Sequence, residues 1–377
     1  MTAGVQILEG RLVLEDRVAA GRIRVEGGLI GEVTLEDGPA EEGPYLAPGF
    51  VDVHVHGWGG HDAMGGRKAL DDMARALLGR GVTSFLPTAV TAPLDRLDRF
   101  AADVRDWLGH APADGAEPLG FNLEGPFLSP ARRGAHDPSH LRAPSDVPRP
   151  RIEALLAGLR LLTVAPELDG ALELTRQLSE RGVAVSLGHS DANLEQAVAG
   201  YAAGARSTTH LFNAMSGVHH RSPGLAAAAL LDDRVYAELI ADGQHVHPAL
   251  FALIDRLKGP ERLLLVSDAI ALAGTGDSSG KLGSLDIQVR GERATLAGSD
   301  TLAGSVIGLD TAVRRTVDAG LTLPSAIAAA SRNPLRLLGV TDRGRLAVGQ
   351  RADLVELGTA LRVRRVMKAG RWFEAAA

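Results

Sequence analysis

The sequence contains no cysteine among its 377 residues. This absence excludes disulfide bonds, thiolate zinc sites and a cysteine nucleophile, and it is compatible with a reducing compartment. Positive charge is not in excess either, because 40 Lys and Arg residues stand against 46 Asp and Glu residues, a formal net charge of −6. A nucleic-acid-binding protein favours a basic patch. We therefore expect no nucleic-acid partner.

Long hydrophobic runs are also absent. The longest apolar stretch, GLAAAALL at 224–231, is far shorter than the ~18 residues that a membrane-spanning helix needs. The stretch MTAGVQILEGRLVLEDRV at the N-terminus carries acidic residues and has no uninterrupted apolar core, unlike a secretory signal. We therefore expect a cytoplasmic protein that has no membrane partner. The length and the 45% hydrophobic content suit one large domain and one smaller domain.

Short apolar runs alternate with helical patterns along most of the chain, for example the helical patterns at 67–80, 171–182 and 193–205. Strands that alternate with helices favour a parallel sheet. Eight such units favour a closed (β/α)8 TIM barrel, with an open doubly wound sheet as the alternative. The eight predicted strands are 49–56, 82–88, 119–124, 161–167, 183–189, 205–211, 236–242 and 262–268.

The two ends of the chain have a different pattern. Residues 5–33 and 344–374 show short alternating runs that are broken by glycine, as in β-hairpins. The simplest arrangement is a small β-sandwich domain built from both termini, at 1–48 plus 341–377, attached to a barrel at 49–340. The segment 276–300 interrupts the pattern after the eighth strand, and we expect a loop and a hairpin there.

Side chains that bind metals stand at the carboxyl ends of five predicted strands. In a TIM barrel these ends meet at one mouth, where the chemistry takes place. A lone histidine at a strand end is more often a structural residue, but six crowded imidazoles and carboxylates are costly unless a cation compensates them. The pattern therefore predicts a metal centre. Its six candidate ligands are His54, His56, Glu124, His189, His210 and Asp268.

The first predicted strand places three polar side chains on one face. Side chains in a strand alternate between faces, so Asp52 points the same way as His54 and His56. Asp52 either orients one of these histidines or accepts a backbone hydrogen bond.

Two further histidines follow predicted strands, His136 in RRGAHDP and His245 in ADGQHVHP. Position alone leaves each open between substrate contact and an ordinary loop role. The other histidines are expected in loops or at turns on the surface, and they are His61, His110, His140, His219, His220 and His247.

Eight segments between residue 48 and about 340 together resemble the N-acetylglucosamine-6-phosphate deacetylase family of the amidohydrolase superfamily. An HxH pair alone indicates only the superfamily, whereas LEGPF together with GHS and THLFNAM is specific to this branch. The segments stand in the family's order and are PGFVDVHVHG, NLEGPFLSPARRGAHDP, SLGHSDAN, THLFNAMSGVHHRSPGLAAAAL, IADGQHVHP, VSDAIALAGT, TLAGSVIGLD and ASRNPLRLLG.

The resemblance implies hydrolysis of N-acetyl-D-glucosamine 6-phosphate to D-glucosamine 6-phosphate and acetate, a step of amino-sugar catabolism. Glu124, His189 and His210 correspond to the family's main metal site. His54 and His56 match a second site, which Glu124 bridges and Asp268 adjoins. The implied cofactor is one or two divalent ions per subunit, zinc first, with iron, manganese or cobalt as alternatives.

The implied mechanism uses a metal-activated water. Asp268 is placed to accept the proton of this water as a general base and to return it to the departing amine as a general acid. The metal and His136 are the candidates for stabilising the acetamide oxygen as its negative charge develops.

The resemblance also implies which residues contact the substrate. Arg221 corresponds to the family arginine that reaches the sugar phosphate in the neighbouring subunit, which implies a homodimer. A guanidinium fork suits phosphate geometry, although the residues alone favour a solvated loop arginine. The other corresponding positions are His136, Asn213, Ala214 and His245, with Leu302, Ala303 and Gly304 in the turn LAGS.

Two kinds of alternative stay open. The same site suits N-acetylgalactosamine 6-phosphate or another N-acylated amine. A non-catalytic amidohydrolase-like binding or assembly protein would have substitutions among the ligands, and here all six are present. Departures that bear on sugar specificity are Arg133, where the family often has lysine, Trp58 and His61 in the first loop, and the long segment 276–300.

Overall fold

The computed structural model describes residues 4–36 and 43–376. Residues 1–3, 37–42 and 377, which fall within the expected small domain, lie outside the described residues. Among the described residues, none of the helices combines the length and the hydropathy that crossing a bilayer demands.

Eight parallel strands form the barrel sheet, in which neighbours along the chain are also neighbours in space, and a short ninth strand, Glu117–Pro118, pairs with the second of them. Just after the eighth strand, the backbone N–H of Asp268 donates to the carbonyl of His54 in the first strand at 2.9 Å, so the two edges of the sheet meet. The predicted (β/α)8 TIM barrel is confirmed. Its strands are β1 (Phe50–Val55), β2 (Val82–Val90), β3 (Phe121–Glu124), β4 (Leu159–Val164), β5 (Ala184–Leu187), β6 (Ser207–Thr208), β7 (Tyr236–Ile240) and β8 (Leu263–Val266).

Helices cover the outside of this barrel. In the first helix, Leu70, Met73 and Leu77 recur at helical spacing and are buried against the core. The helices are α1 (Arg67–Leu78), α2 (Leu94–Leu108), α3 (Arg149–Leu156), α4 (Ala171–Glu180), α5 (Leu194–Ala202), α6 (Leu225–Leu231), α7 (Phe251–Arg262), α8 (Leu309–Asp318), α9 (Leu323–Ala330) and α10 (Arg332–Leu337).

The two ends of the chain form a second sheet, as the sequence predicts. Tyr45–Pro48 pairs in parallel with Gln6–Val13 and antiparallel with Leu354–Leu357, which joins the termini. The N- and C-terminal parts also meet where the Ile30 N–H donates to the Gln350 carbonyl at 2.8 Å. The sheet has a separate apolar core of its own. In spatial order, its seven strands are Arg371–Glu374, Val363–Lys368, Leu354–Leu357, Tyr45–Pro48, Gln6–Val13, Val18–Glu26 and Leu29–Leu35.

The segment 276–300 forms more than a loop and a hairpin. It contains three antiparallel strands, Ser279–Leu282, Leu285–Arg290 and Arg293–Leu296, of which the second pairs with both others. The hydroxyl of Ser284 donates to Asp137 at 2.8 Å, in the loop that follows β3. This small sheet therefore lies at the mouth of the barrel.

Candidate metal centre and active site

The six predicted ligands come together at the carboxyl ends of the barrel strands. Each is at most 6% exposed. The chain leaves β5, β6 and β8 through residues with left-handed backbone, namely His189 (φ 46°), His210 (φ 30°) and Asp268 (φ 49°). Such conformations are costly for residues other than glycine and cluster at functional sites. Here they stand at three of the residues whose side chains enter the cluster.

Glu124 lies at the centre of the cluster. Its Oε1 is 3.0 Å from Nε2 of His189 and 2.8 Å from Nε2 of His210. Its Oε2 is 3.2 Å from Nε2 of both His56 and His136. Because Oε1 is also 3.5 Å from Nε2 of His54, the carboxylate faces five imidazoles in all, which suits a group that lies between two halves of a site.

Glu124, His189 and His210 form one half of the cluster, and His54, His56 and Asp268 form the other. The two Nε2 atoms of the histidines are 3.3 Å apart. Oδ1 of Asp268 lies 3.1 Å from Nε2 of His56 and 3.5 Å from Nε2 of His54. Together with Glu124, these residues bring ligand atoms from two imidazoles and two carboxylates within 4.8 Å of one another.

Hydrogen bonds at Nδ1 assign the tautomers of three histidines. Nδ1 of His56 faces the Thr88 carbonyl at 3.1 Å, and Nδ1 of His189 faces the Arg132 carbonyl at 2.9 Å. Nδ1 of His54 faces a carboxylate oxygen of Glu238 at 3.1 Å. Because these partners accept hydrogen bonds, Nδ1 carries the hydrogen and each neutral ring presents its Nε2 lone pair to the cluster.

Lone pairs that face one another and two carboxylates repel unless a cation lies between them. Imidazole and carboxylate groups are the donors that zinc and other divalent transition metals take. The residues therefore fit a divalent metal on the chemistry of their donor set.

The pKa values of the cluster residues also show that its carboxylates attract positive charge. Burial alone lowers the pKa of His56, but the carboxylates of Asp268 and Glu124 outweigh it and raise that pKa to about 9. Burial lowers the pKa of His189 to about 4. Burial would raise the pKa of Glu124, but His54 and other imidazoles hold it well below its ordinary value. Protons and metal ions therefore compete for this cluster.

His136 has the opposite tautomer to that of these three rings. Its Nδ1 accepts a hydrogen bond from the Thr91 backbone N–H at 3.3 Å, so in the neutral ring the hydrogen is on Nε2. That Nε2 faces Glu124 and borders the cavity. His136 is therefore arranged as a hydrogen-bond donor rather than as a metal ligand.

Asp52 serves the backbone rather than a histidine ring. Its Oδ1 accepts hydrogen bonds from the N–H groups of His54 at 3.2 Å and Ser267 at 3.4 Å. Of the two roles that the sequence leaves open, the structure shows the backbone hydrogen bonds. Burial raises the pKa of Asp52 to about 6.

The cluster forms the floor of a cavity of about 360 Å³. Leu282, from the small sheet at the mouth, and Thr301 form part of its wall. Six of the positions that the resemblance assigns to substrate binding line this cavity, and they are His136, Asn213, Ala214, His245, Leu302 and Gly304.

Two of the expected substrate residues lie elsewhere. Ala303 is fully buried, because it packs in the apolar cluster beneath the mouth while its N–H donates to the Ala294 carbonyl. Arg221 is exposed and lies outside the cavity wall of its own chain. Trp58, which the sequence indicated as a departure from the family, is buried beside the Arg80 guanidinium and outside the cavity wall.

His245 is held in place by a carboxylate. Its Nδ1 is 2.7 Å from Oδ2 of Asp242, while Oδ1 of Asp242 accepts the His245 backbone N–H at 2.8 Å. Burial would raise the pKa of Asp242, but these bonds to His245 outweigh it and lower that pKa. The ring of His245 is therefore fixed at the cavity wall.

Glu238 and Thr91 contact the site residues, and sequence reasoning missed both. The signal for Glu238 is a glutamate in the middle of the otherwise apolar run YAELI. Thr91 gives no comparable signal, because its contact with His136 depends on a loop 45 residues away. The six other histidines expected on the surface all lie outside the cavity wall.

Comparison with known proteins places this geometry in a family. The model of the Amidohydrolase family matches residues 45–373. The chain belongs to this family. As an amidohydrolase with deacetylase relatives, it is a metal-dependent hydrolase that acts on amide carbon–nitrogen bonds.

Several relatives of this amidohydrolase align over most of its length. N-acetylglucosamine-6-phosphate deacetylase of Bos taurus is 40% identical over 371 residues, which cover 94% of this chain and 86% of the bovine protein. N-acetylgalactosamine-6-phosphate deacetylase of Escherichia coli O157:H7 is 38% identical over 357 residues, 92% of each chain. The resemblance that the sequence motifs indicate is thereby confirmed.

Solved structures agree with this amidohydrolase closely. A mutant of N-acetyl-D-glucosamine-6-phosphate deacetylase from Mycobacterium smegmatis, in complex with N-acetyl-D-glucosamine-6-phosphate, has a TM-score of 0.91 at 36% identity and covers 98% of this chain and 99% of its own. The Thermotoga maritima N-acetylglucosamine-6-phosphate deacetylase has a TM-score of 0.91 at 34% identity, with 98% and 100% coverage.

Proposed function

We propose that this amidohydrolase hydrolyses N-acetyl-D-glucosamine 6-phosphate to D-glucosamine 6-phosphate and acetate. The observation that carries the proposal is the buried cluster of four imidazoles and two carboxylates on the floor of a cavity of about 360 Å³. Relatives of 35–40% identity with this activity in their names support the substrate.

The cluster offers two sets of metal ligands. Glu124, His189 and His210 would hold one divalent ion, and His54 and His56 would hold a second, with Glu124 between them and Asp268 adjacent. A divalent ion bound there supplies a water of lowered pKa as the nucleophile. Zinc is our first choice, because imidazole nitrogens and carboxylate oxygens are ligands that zinc binds in catalytic sites.

Asp268 acts as the general base and then as the general acid. The imidazoles of His54 and His56 face its carboxylate, and its interactions with them lower its pKa against the effect of burial. The carboxylate is therefore ionised near neutral pH and is ready to accept a proton from the attacking water. It then returns this proton to the amine that leaves.

His136 donates a hydrogen bond to the acetamide oxygen. Thr91 keeps the hydrogen of His136 on Nε2, the atom that faces the cluster. A donor held in this way needs no reorganisation when negative charge develops on the substrate oxygen.

The sugar phosphate needs a cation, and the described residues of the cavity wall offer it little positive charge apart from the proposed metal site. Arg132 is the one arginine among the described residues of the cavity wall, and its guanidinium pairs with Asp191 at 2.8 Å. Arg221 of a second copy meets this need in a homodimer, with Asn213, Ala214 and His245 as further contacts. The exposure of Arg221 in a single chain is compatible with this role.

A second candidate substrate is N-acetylgalactosamine 6-phosphate. A relative named for this substrate is 38% identical over 92% of the chain. The two sugars differ at one hydroxyl. We assign Leu302 and Gly304, which line the cavity, to the acetyl group of either sugar.

The proposal also concerns the chain as a whole. We place the small domain at 1–48 plus 341–377 and the barrel at 49–340. We also propose a cytoplasmic location, which is compatible with a chain that contains no cysteine.

The substrate is tested by measuring acetate release from N-acetylglucosamine 6-phosphate, its galacto isomer and unphosphorylated N-acetylglucosamine. We expect kcat/KM to be highest for N-acetylglucosamine 6-phosphate. A higher value for the galacto isomer supports the second candidate, and equal values with and without phosphate contradict phosphate recognition.

A further inference from the structure

Glu238 is a buried acidic residue in the middle of β7. It is 0% exposed, and its neighbours Ala237 and Leu239 belong to the apolar core. A carboxylate in such a position is costly unless hydrogen-bond donors compensate it. The hydrogen-bond donors that contact Glu238 therefore indicate its role.

One oxygen of Glu238 contacts both halves of the cluster. Oε2 lies 3.1 Å from Nδ1 of His54 and 3.2 Å from the backbone N of His210. The second oxygen, Oε1, is buried and has no hydrogen-bond partner within residues 4–36 and 43–376. Glu238 thus meets the cluster from behind, on the side away from the cavity.

The hydrogen-bond partner at Nδ1 of His54 differs in kind from the partners at Nδ1 of His56 and His189. The rings of His56 and His189 donate to the backbone carbonyls of Thr88 and Arg132, which any residue type supplies. The ring of His54 donates to a side-chain carboxylate. Such a partner fixes the tautomer, orients the ring and increases the basicity of the ligating nitrogen.

We propose that Glu238 is a positioning residue that holds His54 with its Nε2 towards the metal centre. It thereby sets the metal affinity of the half of the cluster formed by His54 and His56. This inference rests on the proposed metal site. It assigns no chemistry to Glu238 itself, which does not border the cavity.

Zinc binding to metal-stripped protein tests the inference without any assay of activity. Glu238→Ala removes the acceptor, and we expect the apparent Kd of the His54 half to rise about 10- to 100-fold. Glu238→Gln keeps the shape of the side chain and one hydrogen-bond acceptor. We therefore expect its Kd for zinc to lie between that of the wild type and that of Glu238→Ala. If Glu238→Ala does not fold, the rise in Kd for Glu238→Gln carries the test.

A double-mutant cycle separates positioning from a general structural role. If Glu238 acts through His54, adding Glu238→Ala to His54→Ala weakens zinc binding no further. Losses that add in the double variant contradict the inference. Asp310→Asn is the matched control, since Asp310 is also buried but pairs with Arg80 at 2.7 Å, and we expect unchanged zinc binding.

The inference and the proposed function fail in different ways. A wild type that binds no zinc or other divalent metal contradicts the proposed function. A wild type that binds zinc, with Glu238→Ala binding it equally well, overturns only the role of Glu238.

Discussion

Histidine tautomers separate two kinds of residue in this site. In their neutral form, His54, His56 and His189 each donate from Nδ1 and turn a lone pair to the cluster, as metal ligands do. His136 accepts at Nδ1 and turns an N–H to the same cluster. All four are histidines, so the partner at Nδ1 decides which rings turn a lone pair to the cluster and which turns an N–H to it.

Asp268→Asn tests the proton transfer at the scale of one side chain. The amide keeps the volume but cannot carry a proton between water and amine, so we expect kcat to fall by about 10²- to 10⁴-fold. Acetate release measures this. Zinc content and thermal unfolding of the variant are the controls, and a near-normal rate in folded, zinc-loaded protein contradicts the role.

Proton competition predicts a pH dependence of metal binding. In the metal-free protein the pKa of His56 is raised to about 9, so near pH 7 this ring carries a proton that a metal must displace. The apparent zinc affinity should rise with pH below about 9, by about tenfold per pH unit for each proton displaced. Competition with a chromophoric chelator at pH 6, 7 and 8 measures it. An affinity that does not change with pH, after correction for the chelator, contradicts this account.

The backbone at the carboxyl ends of the barrel strands positions the side chains of the cluster. The sixth predicted strand, 205–211, is ordered as a strand only over Ser207–Thr208, because the backbone turns left-handed at His210. That turn directs the ring of His210 to Glu124 instead of continuing the strand. Departures from regular structure therefore coincide with three of the six candidate ligands, His189, His210 and Asp268.

Gly304→Ala tests one of these turns. Gly304 has a φ of 63°, and a Cβ there would lie 2.6 Å from the Ile270 side chain and 2.8 Å from the Asp268 carbonyl. We expect the free energy of unfolding to fall by about 1–3 kcal/mol more than in Gly298→Ala. Gly298 is the matched control, with a φ of 76° and open space around its Cβ. Urea unfolding of both variants decides, and equal losses contradict a specific contact.

Periodicity predicts these elements well, since apolar runs of strand length match all eight barrel strands. The ligands at their ends are also predictable, because parallel strands bring their carboxyl ends together. Contacts that depend on loops are not. The third strand of 279–296, the burial of Ala303 and the hydrogen bond between Thr91 and His136 arise from tertiary packing, which no local pattern encodes.

Taken as a whole, the molecule has a cavity with candidate metal ligands at its floor but, among the described residues, little positive charge for a phosphate. This imbalance is the physical reason for proposing that a second copy completes the site. Arg221 is exposed in a single chain, and its guanidinium makes no salt bridge among the described residues.

Arg221→Ala should weaken the binding of phosphorylated substrate, with a raised KM and little change for unphosphorylated N-acetylglucosamine. Steady-state acetate release on both sugars measures the difference. Equal losses on the two sugars contradict a phosphate contact.

A mixture of Arg221→Ala and Asp268→Asn chains tests whether the arginine acts in trans. Random exchange makes half of the dimers mixed, and one site in each is complete, so we expect about a quarter of wild-type activity. Activity no higher than that of the separate variants contradicts a shared site.

The central claim is that this chain hydrolyses an acetylated sugar phosphate with a metal held by the cluster around Glu124. The most direct measurement is acetate release from N-acetylglucosamine 6-phosphate by metal-stripped protein, before and after stoichiometric zinc is added. We expect no acetate release before zinc is added and rapid release afterwards. Release that is equally fast without metal, or none from folded protein with zinc, iron, manganese or cobalt, would contradict it.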